Sequence, residues 1–251
     1  KLKVVALSSI KKPKKDILEE NSLYYFSNWK KMINSKLIDA VVIATPPNAQ
    51  DKIINYAIKK NKHIFCEKPF TESFQKAKKI VNIIKNKKRL ANIVNFMFPE
   101  IGTWKVLKKQ LQKKQKIEKI ELNWRMNSKL KMNNWKSKHS QGGGVLYNWA
   151  CHSFYYLENL FGKIISYNCK VYKKNKDFPY RLESTLYFFS GAVARVDINL
   201  LSTDKPKHQL KVKTNKKHFN LISNINTLYS GFSLTTKNSK KKIIRIKLSE
   251  K

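Results

Sequence analysis

Residues 37–47 read LIDAVVIATPP, and this stretch decides the fold of the first half of the chain. Within it, AVVIA is an unbroken apolar run rich in β-branched residues, which is typical of a strand buried on both faces of a parallel sheet. The strand runs into Thr45, Pro46 and Pro47, a polar residue followed by a rigid turn. Ligands of open α/β sheets bind beyond the carboxyl ends of the strands, so we expect a ligand-binding edge here.

The segments that follow alternate between helical and strand patterns. Residues 49–60 have apolar positions at helical spacing behind Asn48, a residue type that caps helices. Residues 63–69, HIFCEKP, form the next strand and end in a second polar turn; a helix capped by Thr71 and a strand at 90–96 come after it. Strand–helix–strand units of these lengths predict a parallel, right-handed α/β sheet.

The pattern changes after residue 97. Residues 117–126 alternate between polar and apolar, and further alternating runs follow residue 163, two of them joined by the turn sequence SGA at 190–192. Alternation broken by turn residues predicts antiparallel strands. The predicted fold class is therefore α/β plus α+β. A partial Rossmann domain, parallel and doubly wound, covers 1–96, and a domain with a largely antiparallel, open β-sheet covers 97–251.

One predicted helix in the second half has a polar face. Residues 142–162, GGGVLYNWACHSFYYLENLFG, place Asn148, His152 and Tyr155 four and three residues apart, on one side of a helix, with apolar residues opposite. Glycines before a helix allow a ligand or another backbone to approach closely. A histidine on such a face is either a functional group or a buried, hydrogen-bonded core residue, and the pattern alone leaves both open.

The charge of the chain is strongly positive. It has 53 Lys and Arg against 16 Asp and Glu, a formal net charge of +37. Such a charge attracts polyanions, including nucleic acid. Only five of the basic residues are Arg, the side chain best suited to phosphate forks and base edges, and the lysines are spread through every segment. We interpret the charge as compositional and expect no nucleic-acid partner.

The cysteines and the apolar runs exclude other classes. Cys66, Cys151 and Cys169 form no CxxC pair, so neither a metal site nor a disulfide framework is predicted, and a reduced, cytoplasmic setting fits. Cys151 stands beside His152, but adjacent helical residues point about 100° apart, which favours a small buried thiol over a nucleophile. No apolar run reaches the ~20 residues of a membrane span, so no membrane partner is expected.

Several motifs in this order resemble the Gfo/Idh/MocA oxidoreductase family. In that family one apolar strand ends in TPP and the next in EKP, and a GGG run opens a helix that carries a histidine. The matching stretches here are TPP at 45–47, EKP at 67–69, the helix at 142–162, the hairpin SGAVARVDINLL at 190–201 and, as in one subgroup, NFMFPEIGTW at 95–104 and WK at 135–136. The resemblance covers nearly the whole chain.

The resemblance implies an NAD(P)-dependent oxidoreductase that acts on CH–OH groups of a sugar, inositol or sugar nucleotide. It implies a homo-oligomer, a dimer or tetramer formed through the C-terminal sheet. The implied catalytic residues are Lys68, His152 and Asn148. The implied cofactor-binding residues are Ser8, Ser9, Thr45, Pro46, Pro47, Glu67, Lys68 and Pro69. The implied substrate-binding residues are Lys136, Asn148, His152 and Tyr155. No metal site is implied.

Three departures from the family pattern qualify this expectation. Asn148 stands where the family has Asp, and an amide cannot ionise to raise the basicity of His152. Tyr155 stands where an acidic residue is common. The family's GxGxxG loop, which holds the pyrophosphate of the cofactor, is absent. We therefore expect that one βα unit before the first strand at 3–9 is missing, either because the sequence is a fragment or because the chain has lost this unit.

The end of that first strand bears on the choice of cofactor. The family's acidic residue for the NAD ribose would stand here, but the strand ends in Ser8 and Ser9, and Lys11 and Lys12 follow. This arrangement favours NADP over NAD. Three functions remain open from the sequence: the oxidoreductase, a degenerate family member that binds without turnover, and a basic nucleic-acid-binding protein, which the scarcity of Arg disfavours.

Overall fold

The computed structural model describes residues 2–127, 134–223, 231–238 and 243–246. The chain forms two compact units, divided between Asn95 and Phe96. We call them unit 1 and unit 2 and describe each by itself.

Unit 1 is built from short parallel strands and helices. Its elements are β1 (Ala6–Ser8), α1 (Lys15–Glu20), β2 (Tyr24–Phe26), α2 (Trp29–Asn34), β3 (Ala40–Ile43), α3 (Pro47–Lys59), β4 (His63–Cys66), α4 (Phe74–Lys85) and β5 (Asn92–Val94). One parallel sheet pairs β1 with β2, and a second has the order β3-β4-β5. The predicted parallel α/β fold is confirmed, and β2 is a strand that the sequence pattern had not revealed.

The second of these sheets buries one face only. Val41, Ile43 and Ile64 pack with apolar residues of α3 and α4 in one core. Val42 lies between two of these residues and is 71% exposed. The prediction of a strand buried on both faces was wrong, because successive side chains point to opposite faces and α3 and α4 pack on a single face.

The helix starts differ from those predicted. α3 begins at Pro47, whose fixed φ suits the first helical position, so Asn48 lies inside the helix and is not its cap. The N-cap of α4 is Ser73, not Thr71. The Thr71 hydroxyl instead donates to the Ser73 carbonyl at 2.7 Å. Phe74, the first residue of α4, is exposed.

Unit 2 is a large mixed sheet with helices on one face. Its elements are a 3₁₀ turn (Phe98–Glu100), α5 (Gly102–Leu111), β6 (Ile117–Arg125), two 3₁₀ turns (Trp135–Ser137 and His139–Gln141), a π-helix (Leu146–Ala150), α6 (Cys151–Phe161), β7 (Ile164–Lys173), β8 (Pro179–Phe188), β9 (Val193–Asn199), β10 (Lys207–Thr214), β11 (Lys217–Ser223), β12 (Phe232–Asn238) and β13 (Ile243–Ile246).

The eight strands of this sheet have the order β13-β12-β11-β10-β6-β9-β8-β7, and the β6–β9 pair is its parallel neighbour pair. The largely antiparallel sheet is confirmed; β11, β12 and β13 extend it beyond the predicted strands. Strand residues alternate between a buried face, which packs against α5 and α6 in one core, and an outer polar face. Packing against the buried face of the sheet sets the position of α6 and of its histidine, His152.

Candidate active site

The carboxyl ends of β3, β4 and β5 form one edge of unit 1. Thr45 follows β3, Glu67 follows β4 and Asn95 follows β5. The Glu67 N–H donates to the Ile43 carbonyl at 2.9 Å, so the hydrogen bonding between β3 and β4 continues one residue beyond the end of β4. The Asn95 amide donates to Glu67 Oε1 at 2.8 Å. The motif EKP is therefore held at a strand end by its neighbours on both sides.

The turn after β4 rests on α3. The Lys68–Pro69 peptide bond is cis. The Pro69 carbonyl accepts a hydrogen bond of 2.9 Å from Gln50 Nε2, and Gln50 is fully buried. Within the described ranges, Gln50 Oε1 and Thr45 Oγ1 are buried without a hydrogen-bond partner. Buried polar atoms are normally paired, so these two atoms fit an edge that receives a polar ligand.

Cys66 is placed as an inert thiol, and Cys151 is only partly buried. Cys66 at the end of β4 is fully buried. Burial, with a smaller contribution from the Glu67 charge, raises the pKa of the Cys66 thiol to about 12. The Cys151 thiol donates to the Tyr147 carbonyl at 2.8 Å within its own helix. A thiol acts as a nucleophile only as the thiolate, so Cys66 is not a candidate.

The predicted adenosine end of the cofactor site lies at the end of β1. Ser8 closes the strand, and the Ser9 hydroxyl donates to the Lys11 carbonyl at 2.6 Å. The Tyr25 hydroxyl donates to the Ser9 carbonyl at 3.2 Å, and Lys12 Nζ lies 5.9 Å from the Tyr25 ring centre. The Ser9 hydroxyl is thus bonded within the turn, and the basic side chain of Lys12 lies beside it.

Two glycines of the GGG run serve close packing. A Cβ on Gly143 would lie 2.3 Å from the Trp135 carbonyl oxygen, and one on Gly144 would lie 2.5 Å from Pro179 Cγ. Gly142 and Gly144 also have φ values of 80° and 78°, which favour glycine. Of the two uses predicted for the GGG run, the structure shows the approach of another backbone.

The helix after the glycines begins with a π-helical turn. Leu146–Ala150 is π-helical, and the chain continues as α6 from Cys151. A π turn is wider than an α turn, so residues four apart lie more nearly on one line. Asn148 and His152 are buried side chains four apart across this junction, and Tyr155 follows one turn later and is half-exposed. The sequence predicted their shared side but not the π turn.

Aromatic rings surround His152. Phe98 meets the imidazole edge-on with ring centres 5.0 Å apart, and Phe96 does the same at 5.9 Å. Trp124 of β6 lies 6.5 Å away. These rings fix the orientation of the imidazole and limit its access to water. Residues 95–98, NFMF, carry part of the family resemblance, but their sequence did not predict a role for these rings.

Asn148 binds backbone. Its Nδ2 donates to the Lys136 carbonyl at 3.0 Å. The Asn134 side chain accepts from the Lys136 N–H and caps the same short turn. Lys136 is thereby tied to Asn148 through its main chain, and its ammonium lies 5.9 Å from the Trp135 ring centre. Asn148, His152, Tyr155 and the Lys136 backbone are placed in one region of unit 2.

A buried polar chain ties α6 to the sheet. The Tyr156 hydroxyl lies 2.8 Å from His208 Nε2 and 3.1 Å from Ser153 Oγ. His208 stacks flat on Trp124, with centres 3.9 Å apart. Burial lowers the pKa of His208 to about 3, so this imidazole is neutral. His208 was not among the predicted site residues, although it alternates with Leu210 and Val212 on the inward side of β10, a pattern that indicates a buried histidine.

Within residues 2–127, 134–223, 231–238 and 243–246, no three His, Cys, Asp or Glu side chains are grouped as a metal site requires. No helix within the same ranges combines the length and apolarity needed to cross a membrane.

Two family models match the chain. One, described as an oxidoreductase family with an NAD-binding Rossmann fold, matches residues 1–96, and the other, its C-terminal alpha/beta domain, matches residues 108–231. An uncharacterized oxidoreductase of Schizosaccharomyces pombe is 25% identical over 165 residues, which are 64% of this chain and 45% of the relative. The chain spans less than half the length of the curated relatives it matches.

Solved structures share the fold. Levoglucosan dehydrogenase in complex with NADH and levoglucosan has a TM-score of 0.84 at 17% identity, covering 97% of this chain and 71% of that one. KijD10, a 3-ketoreductase from Actinomadura kijaniata in complex with NADP and TDP-benzene, also has a TM-score of 0.84, at 14% identity, covering 97% of this chain and 76% of that one.

Proposed function

Because the chain belongs to the Gfo/Idh/MocA oxidoreductase family, we propose that the protein transfers hydride between NAD(P) and a hydroxyl-bearing carbon of a sugar, inositol or sugar-nucleotide-type substrate. The observation that carries the proposal is the placement of His152, on the helix that follows the GGG run and between the rings of Phe96 and Phe98. The fold neighbour that binds levoglucosan supports a carbohydrate-type substrate.

The proposed roles follow from where the proton and the hydride of the reaction must go. Oxidation of a carbinol needs a base for the hydroxyl proton while hydride leaves the carbon, and we assign that base to His152, because histidine is the residue type that most often exchanges protons in catalysis. We assign Lys68 to stabilise the developing alkoxide, as an ammonium in a poorly solvated setting does. Asn148 holds the Lys136 turn by its donated hydrogen bond. The nicotinamide, when bound, accepts or supplies the hydride.

The residues of unit 1 fit part of a dinucleotide. Thr45 Oγ1 and Gln50 Oε1 are buried polar atoms that lack a partner in the described ranges, next to the turns of residues 45–47 and 67–69. Ser8 and Ser9 would lie at the adenosine end. Residues 1–95 contain no glycine, so they supply no glycine-rich loop for the pyrophosphate. The lysines after Ser9 favour NADP, because they would pair with a 2′-phosphate.

Substitution of His152 and Lys68 tests the proposal. His152→Ala and Lys68→Ala are each expected to lower kcat by about 10² to 10⁴, the usual contribution of a positioned acid or base. The measurement is NAD(P)-dependent turnover of the full-length protein against a panel of sugars, with melting temperatures to verify folding. His218→Ala and Lys79→Ala, on exposed positions, are the matched controls. Wild-type rates in both site variants would reject the assignment.

A binding protein without turnover is the second candidate, and Asn148 favours it. The family's Asp at this position is an acceptor, whereas the Asn148 amide here donates to a carbonyl. A carboxylate in its place would face the Lys136 carbonyl, so Asn148→Asp would lose that contact. Binding of a sugar without hydride transfer in the unsubstituted protein would favour this candidate over the oxidoreductase.

We also propose that copies of the chain associate through the outer face of the unit 2 sheet. At its centre, a groove of about 420 Å³ is lined by three acids, Glu121, Glu183 and Asp197, and by two cations, Arg195 and Lys170. Arg125 and Arg181 bind the Asp197 carboxylate. Like-charged molecules repel, and a chain of net charge +37 can approach its own copy best where charge is balanced.

Added charge on this face tests the association. Asn123→Lys with Asn168→Lys places two cations on the groove lining, and we expect a dimer or tetramer to dissociate to monomers in size-exclusion chromatography with light scattering. The matched control is Asn55→Lys with Asn82→Lys, which adds the same charge on exposed helix positions of unit 1. Equal masses for both double variants would count against this face as the interface.

A further inference from the structure

Tyr155 presents a flat aromatic surface beside His152. Its ring stacks on Phe96, with centres 4.1 Å apart and 13° between the planes. The residue is nevertheless 44% exposed. Because Phe96 covers one face of the ring, the opposite face is the one left for a ligand. The same Phe96 meets the His152 ring edge-on at 5.9 Å, so one residue supports both rings.

The exposure of Tyr155 is set by its position on α6. His152 and Tyr155 are three residues apart and share one side of the helix. The next residue, Tyr156, is fully buried and bonds His208 on the sheet side. The two neighbouring tyrosines thus point in different directions, one into the core and one beside the imidazole. The stack on Phe96 holds the outer ring in place.

We propose that Tyr155 is a stacking platform that makes the protein select substrates with a closed pyranose ring over open-chain polyols. The inference rests on the proposed function, because it takes His152 as the group that handles the reacting hydroxyl. A pyranose chair offers a rigid apolar C–H face that packs on an aromatic ring by dispersion and desolvation. An open-chain polyol has no such face and loses more torsional freedom to make the same contact.

The residue type at this position changes what is recognised. A carboxylate, which the resembling family commonly has here, accepts hydrogen bonds from hydroxyls of rings and chains alike. An aromatic ring recognises shape, because its contact area depends on a flat partner. Asn148 removes the other carboxylate expected on this helix, and so leaves shape a larger share of the selectivity.

Two probes that differ in ring closure test the platform. Methyl β-D-glucopyranoside is locked as a ring, and D-glucitol is the corresponding open chain. In the full-length protein, kcat/KM is expected to favour the pyranoside. Tyr155→Ala is expected to lower the ratio of the two kcat/KM values about tenfold, mainly through KM for the pyranoside. Tyr155→Phe keeps the ring and should retain the ratio, whatever its absolute rate.

Tyr167→Ala is the matched control, since Tyr167 is a 71%-exposed tyrosine on β7. An unchanged ratio in Tyr155→Ala, or an equal change in Tyr167→Ala, overturns the platform and leaves the proposed function standing. If the wild type turns over neither probe, saturation-transfer NMR decides. Ring-selective binding that Tyr155→Ala abolishes supports the platform and rejects hydride transfer with these probes. Unselective binding, or none, overturns the platform.

Discussion

Acidification from about pH 7.5 to about pH 5 is expected to lower the free energy of unfolding of unit 2 by about 2 kcal/mol through His208 alone. Burial lowers the pKa of this imidazole to about 3 in the folded state, whereas an unfolded histidine titrates near 6.5. At pH values between these two pKa values, the unfolded chain binds a proton at His208 and the folded chain does not. Stability is therefore complete above about pH 6.5 and decreases as the pH falls toward about 3.

The surroundings of His208 explain the size of this effect. The ring is fully buried among Trp124, Phe98 and Trp104, and its Nε2 bonds the Tyr156 hydroxyl. Burial likewise raises the pKa of Tyr156, so this partner stays neutral and offers no negative charge to a protonated imidazole. The slope approaches about 1.4 kcal/mol per pH unit in the range where one proton separates the two states.

The measurement is urea unfolding at several pH values, followed by tryptophan fluorescence, since four of the five tryptophans lie in unit 2. The control is His208→Gln, which keeps an amide near Tyr156 but does not titrate. The wild type should lose about 2 kcal/mol more than this variant over the same pH range. Parallel pH curves for the two proteins would show that His208 is not the group responsible.

Alanine at the GGG run is expected to give the largest loss of stability among small substitutions in unit 2. Gly143→Ala would place a methyl group 2.3 Å from the Trp135 carbonyl oxygen and 2.7 Å from the Lys136 carbonyl. These neighbours are backbone atoms that cannot turn aside, so the chain must shift. We expect a decrease of more than about 3 kcal/mol in the free energy of unfolding. The shift would also move the carbonyl that Asn148 binds.

Gly144→Ala combines a clash with backbone strain. Its φ is +78°, and the added Cβ would lie 2.5 Å from Pro179 Cγ. Gly191, in the β8–β9 turn, has nearly the same φ, +79°, with open space around it. Gly191→Ala is therefore the matched control and should lose only about 1 kcal/mol, the strain of a left-handed alanine. Equal losses at Gly143, Gly144 and Gly191 in denaturant unfolding would show that packing against the glycines contributes nothing.

Local chain patterns were enough to predict the strands whose sequence period is clear. The runs around Val41 and Ile120 belong to strands of the predicted kind, and the turn at Gly191 joins the predicted hairpin. β2, of three residues, was too short for a period to emerge. Exposure depends on what covers a face, which is why Val42 was wrongly expected to be buried.

The candidate site likewise has features that the sequence predicts and features that it does not. The side-by-side placement of Asn148 and His152 follows from helical spacing alone. The bond from Asn148 to the Lys136 carbonyl joins residues twelve apart through a short turn, and the stack of His208 on Trp124 joins two strands paired by the sheet register. Such contacts are set by tertiary packing, and sequence spacing does not encode them. The roles of Lys68 and His152 stay predictions until the variants are measured.

Two of the five arginines occupy positions where the geometry of the side chain is required. Arg181 binds Asp197 with two parallel bonds of 3.2 and 3.0 Å, and Arg125 reaches the same carboxylate at 2.7 Å. A lysine could supply the charge but not the planar fork. In a protein whose basic residues are nearly all lysine, a retained arginine marks a position where direction matters more than charge. An arginine in a lysine-rich sequence therefore indicates a structural constraint, and this inference requires no alignment.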